Sequence, residues 1–145
     1  MKVKQLSVFV ENQPGRLAAV ADALGGAGIN IMAMTIAETR EFGVVRMIVV
    51  DWERGMKFLK DKGFTVTTTD VLAIEVEDNP GALARVLEVF VKRGLNVEYM
   101  YAFVAKRAGS AILVFRFDDT DKAIKALQGT EVKVLTNEEV LTLEK

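Results

Sequence analysis

Apolar and polar positions alternate along this chain with two different periods. Residues 6–10 and 71–76 are apolar runs bounded by polar turn residues, the pattern of a buried strand. Each is followed by a Pro-Gly pair and then by apolar positions at helical spacing. These are Leu17, Val20, Ala21 and Leu24 in the first stretch, and Leu83, Val86, Leu87 and Phe90 in the second. Proline suits a first helical turn, where its missing N–H costs nothing, and Gly25, Gly26, Gly28 and Gly94 suit a helix stop. Next come two apolar segments joined by a polar turn: residues 29–38 and 43–51 around Thr39-Arg40-Glu41, then residues 95–105 and 109–117 around Lys106-Arg107. Shorter helical patterns carry Met56 and Leu59, or Ala123, Ile124 and Leu127, and final strands are predicted over 64–69 and 131–135.

The order strand–helix–strand–strand–helix–strand is therefore written twice. Pro14 and Pro80 stand 66 positions apart, and at that offset residues 6–34 match residues 72–100 with 11 identities in 29 and no gap. Gly43 matches Gly109, after which the register weakens, and Leu59 aligns with Leu127 only after a two-residue slip. The predicted fold is α+β: two tandem β-α-β-β-α-β ferredoxin-like units, each a four-stranded antiparallel sheet with two helices on one face. The units are predicted over 1–69 and 70–145, docked as a pseudo-symmetric pair, because a unit of about 66 residues without staples has a marginal core. Residues 140–144 resemble residues 71–75 and are read as an extra C-terminal edge strand.

Composition removes whole classes of chemistry. With no cysteine and no histidine there is no disulfide framework, zinc-thiolate site, thiol nucleophile or imidazole base. Ser7 and Ser110 lie in or beside strands without an evident base, so no enzyme is expected, and no cofactor or metal. A net charge of −1 gives no drive toward nucleic acid or anionic lipid, and the RNA-binding version of this topology needs aromatic rings where residues 106–113 offer aliphatics. The apolar runs are too short to span a bilayer and no export signal is evident, so the cytoplasm is the expected location.

The chemistry that remains sits in turns. Residues 11–15, Glu-Asn-Gln-Pro-Gly, and their copy 77–81, Glu-Asp-Asn-Pro-Gly, place polar side chains and a helix start together. That arrangement presents free N–H groups for a carboxylate or other small anion; it equally suits plain helix capping by Asn12 and Asp78. Asn30 and Asn96, each in Gly-x-Asn-Ile/Val, either stabilise the turn before the second strand or reach a ligand held in a partner's loop. Arg46, in an otherwise apolar strand, is solvent-facing, paired, or forked onto a ligand carboxylate. Tyr99, Tyr101 and Phe103 share one strand face, either packed at an interface or lining a pocket.

The duplicated Asn/Asp-x-Pro-Gly-x-Leu and Gly-x-Asn-Ile/Val motifs resemble the ACT domain, over essentially the whole chain and in two copies. The resemblance implies a stand-alone pair of regulatory modules that bind a free amino acid at an inter-domain or inter-subunit interface. It implies ligand contacts from Asn12, Gln13, Pro14, Gly15 and Asn30, and from Asp78, Asn79, Pro80, Gly81 and Asn96. A homodimer and an unidentified partner enzyme or regulator are expected. Two departures matter: Val10 and Val76 stand where some serine-binding members carry histidine, and Asp78 replaces the asparagine found at Asn12, so the two sites should differ. The competing expectation is a ligand-free interaction platform whose sites have decayed.

Overall fold

The computed structural model describes residues 1–38, 40–105 and 107–143. Thr39 and Lys106, within the two turns read from the sequence, and Glu144 of the C-terminal strand reading lie outside them. The chain divides into two units, Lys4–Thr69 and Asp70–Lys145, the second taking in Met1–Val3.

In the first unit, β1 (Val3–Glu11) leads through the Pro14 turn to α1 (Arg16–Gly26), then β2 (Ile31–Glu38), β3 (Phe42–Val49) and α2 (Trp52–Asp61). The strand β4 (Thr65–Glu77) follows, running through Thr69-Asp70 without the break expected there. β3 lies antiparallel between β1 and β2. Alternate β1 residues Leu6, Val8 and Val10 turn into a core with Val20 and Leu24 of α1 and Leu59 of α2. Both units are α+β with helices packed on antiparallel sheet, as the doubled pattern predicts.

The second unit repeats the order with α3 (Ala82–Lys92), β5 (Val97–Ala102), β6 (Ser110–Phe117), α4 (Thr120–Leu127) and β7 (Lys133–Val134). β6 lies antiparallel between β5 and β4, and β7 pairs with β4. Its core is aromatic. Phe90 sits edge-on to Phe115 and Phe117, with ring centres 5.2 and 5.1 Å apart.

Three expectations need correction. Leu17 and Leu83, placed on the buried helix stripes by spacing, are 40 % and 37 % exposed. Ala21 is exposed as well, because the covered face runs through Val20, Leu24 and Ala27 in the first unit and through Ala82 and Phe90 in the second, leaving Leu17, Ala21 and Leu83 off it. Gly109 is not the counterpart of Gly43. Asn12 N–H donates to Glu41 O and its equivalent Asp78 N–H to Gly109 O, so Gly109 corresponds to Glu41. The two-residue slip therefore enters in the hairpin between the second and third strands of the repeat. Finally, the C-terminal segment is a helix, α5 (Asn137–Thr142), where an edge strand over 140–144 was expected. Thr136 caps it, accepting from Glu139 N–H while the Glu139 carboxylate accepts from Thr136 N–H. A local capping box with Val140 buried outweighs a short likeness to β4.

An ion cluster links this end of the chain to its sheet. Lys133 Nζ lies 2.8 Å from the Glu75 carboxylate, and Arg107 lies 3.7 Å from Glu75 and 3.9 Å from Glu139. The hydrogen bond from Lys133 holds the Glu75 carboxyl below its ordinary pKa.

Candidate functional site

Both strand-to-helix loops are exposed, and both are built on a left-handed glycine. Gly15 (φ 87°) and Gly81 (φ 86°) stand at the N-cap positions of α1 and α3, and neither helix has a side-chain cap. The N-cap positions thus fall on Gly15 and Gly81 and not on Asn12 and Asp78. Each instead anchors its loop through its backbone N–H, at 2.8 Å to Glu41 O and 2.9 Å to Gly109 O, while Asn12 Nδ2 lies 3.4 Å from Arg40 O. The reason for glycine is conformational, since the positive φ disfavours any side chain. A Cβ on Gly15 would meet nothing within 4 Å.

The two loops differ. At the second, Arg85 reaches back from α3 to Asn79 Oδ1 at 3.3 Å, and Asn79 Nδ2 donates to the Glu77 carboxylate at 3.1 Å. The guanidinium also lies 3.9 Å from Glu77 and 3.2 Å from where a Cβ on Gly81 would stand. The first loop lacks that arginine, because the repeat places Ala19 where the second carries Arg85. That single difference was visible in the repeat alignment, although only geometry shows the arginine lying back over the loop. Exposed apolar side chains flank the first loop: Phe9 at 44 %, Leu17 at 40 % and Phe42 at 54 %. Phe42 stands opposite Glu11 in the sheet, beside Asn12.

Asn30 and Asn96 are exposed, and their carbonyls accept from Val50 N–H at 3.1 Å and Asp118 N–H at 3.4 Å. The register shows that neither is near its own unit's loop. Glu11 pairs with Phe42 and Ile31 with Val49, at opposite ends of β3. Seven residues of strand at ~3.3 Å each separate the two levels by about 23 Å. The second unit repeats this, with Glu77 opposite Ser110 and Val97 opposite Phe117. The two halves of the motif in one unit are therefore not brought together.

Arg46 belongs to neither half. It pairs with Ser7 and Thr35 in mid-sheet, on the same face as Val44 and Phe9. Tyr99 and Tyr101 stack with ring centres 6.5 Å apart, and Tyr101 and Phe103 are buried at 9 % and 7 % exposure. Among the described residues no group of three or more acidic side chains could hold a metal ion, and no helix is long and apolar enough to cross a membrane.

Comparison with known proteins agrees with this architecture. A crystal structure of a protein from Bacteroides thetaiotaomicron is 40% identical, covering 97% of this chain and 96% of that one, with a TM-score of 0.90. The ligand-free regulatory subunit of aspartate kinase from Thermus thermophilus, 16% identical over 86% of this chain and 89% of its own, superposes with a TM-score of 0.65. The same subunit from Thermus flavus, 15% identical over 98% and 92%, gives 0.61. These last two likenesses speak for the fold alone. No curated protein matches the sequence. The ACT domain pair family matches residues 1–144. With two β-α-β-β-α-β units, two Pro-Gly loops on left-handed glycines and that match, the chain belongs to the ACT domain pair family.

Proposed function

We propose that this protein is a non-catalytic regulatory module of the cytoplasm that binds a free amino acid where ACT units meet. Binding alters its assembly or the activity of a partner. The observation that carries the reading is the first loop: exposed, without a side-chain cap, and flanked by the exposed Phe9, Leu17 and Phe42. The positive end of a helix suits a carboxylate, and exposed apolar side chains beside it suit a contact that excludes water around it. Asn12, Gln13, Pro14 and Gly15 supply the loop half of this site. The ~23 Å between the loop level and the Asn30 level argues that the other half comes from a second copy, which makes a homodimer the natural working form. Asp78, Asn79, Pro80, Gly81 and Asn96 form a weaker second site, because Arg85 and Glu77 already hold the Asn79 side chain.

Thermal shift and calorimetry against the proteinogenic amino acids test this. Saturable stabilisation by one of them, lost in Asn12→Ala and in Asn30→Ala, is expected. Mixing the two variants should restore part of the binding, since a mixed dimer regains one site with both asparagines. If no amino acid moves the melting temperature at millimolar concentration, the alternative reading of an interaction platform with decayed sites takes its place. The clamped second loop is the observation that favours that alternative.

A further inference from the structure

The first unit carries a groove on its helical face, beginning at Arg16 just after the Pro14-Gly15 turn, that the reading above does not use. It encloses about 530 Å³ and runs between α1 and the end of α2. Small α1 residues, Ala19, Ala23 and Gly26, form its floor. Phe58 and Phe64 form its walls, both half-buried and packed against the core. Arg16 and Lys62 are the basic residues lining it, and Asp22 the acidic one. Arg16 lies over the Phe64 ring with its guanidinium carbon 5.5 Å from the centroid. Its Nε is buried and has no hydrogen-bond partner among the described residues.

One of these features, the buried Arg16 Nε, has a cost that the fold alone does not explain. A buried guanidinium N–H without an acceptor forfeits hydrogen-bond energy. The second repeat provides an internal comparison. Ala19, Ala23 and Gly26 correspond there to Arg85, Val89 and Lys92, Arg16 to Ala82, and Phe58 and Phe64 to Ala126 and Val132 once the two-residue slip is applied. The small floor and the aromatic walls are thus confined to the first unit, while the second carries its arginine, Arg85, at the position of Ala19.

We infer that this groove binds a small monocarboxylate with a flat apolar body. The carboxylate accepts from the Arg16 guanidinium, and Lys62 adds attraction for the anion. The apolar body lies over the alanine floor between Phe58 and Phe64. A volume of about 530 Å³ falls in the range of small-molecule sites. Two basic groups against one acid favour an anion over an amine.

The test uses the full chain, labelled with nitrogen-15, titrated with 3-phenylpropionate, with 3-phenylpropylamine as the oppositely charged control. Saturable amide shifts at Ala19, Ala23, Gly26 and Lys62 are expected for the acid and not for the amine. Arg16→Ala should weaken the acid at least about tenfold, consistent with loss of a charge-assisted bond. Ala23→Leu should fill the floor and abolish binding, and native-like spectra of both variants establish that they fold. Asn12→Ala should leave the affinity unchanged, which separates this site from the loop. Absence of saturable shifts up to about 10 mM, well above the Kd of a weak ligand, overturns the inference. So do shifts centred outside the groove, equal binding of the amine, or an unchanged Kd in Arg16→Ala.

Discussion

Gly15→Ala and Gly25→Ala make the same chemical change ten residues apart and should have opposite effects. Gly15 has φ 87°, while Gly25 lies within α1 at an ordinary helical angle. At neither position would the new methyl touch anything within 4 Å, so packing drops out and backbone conformation alone decides. Forcing an alanine into the left-handed region costs roughly 1–2 kcal/mol. The stiffer unfolded chain returns about 0.4–1 kcal/mol, leaving Gly15→Ala destabilised by about 1 kcal/mol. In the helix the same methyl gains about 0.5–1 kcal/mol. The two variants should therefore differ by about 1.5–2 kcal/mol with the parent between them. Trp52, the sole tryptophan, is in α2 of the same unit and reports its unfolding. In urea the midpoints should move by about 0.5 M in opposite directions, given slopes of ~1–3 kcal/mol per M. A neutral Gly15→Ala, or a destabilising Gly25→Ala, would refute the account of the loop as a glycine-dependent turn.

Three further outcomes follow from the second unit. Glu75→Gln should lower stability at neutral pH. Because the folded pKa of Glu75 is depressed, chiefly by Lys133, its contribution is present above the unfolded value and is lost as pH falls through the folded one. The gap between parent and variant denaturation midpoints should close as pH drops below about 4, near the ordinary range for glutamate; a gap independent of pH contradicts the cause assigned. Phe90→Ala removes the ring that meets both Phe115 and Phe117 and should cost about 3–5 kcal/mol, read by calorimetry. Thr136→Ala breaks the capping box of α5 and should cost about 1 kcal/mol, with amide exchange rising at Val140 and Leu143 before the rest of the unit.

The doubled order of strands and helices was legible because it is written in local terms. Alternation along β1, helical spacing before Leu24 and Phe90, and Pro-Gly helix starts each depend on a few neighbouring residues. The 66-residue offset then exposed both copies of the loop. The repeat also carried a misreading, since a two-residue insertion in the hairpin paired Gly43 with the wrong partner. The C-terminal helix is obscured in the sequence by the likeness of residues 140–144 to β4, although Thr136 and Glu139 display its capping pair plainly.

Sequence alone determined which residues could carry polar chemistry and excluded the cysteine and histidine kinds. It could not determine which of them meet. That Asn12 and Asn30 lie at opposite ends of one unit follows from strand register, a property of hydrogen bonding between distant segments. That Arg85 lies over one loop, and that Arg16, Phe58 and Phe64 line one groove, follows from side chains meeting across turns of helix and between elements. Local pattern selects elements; only their packing decides which surfaces face a ligand.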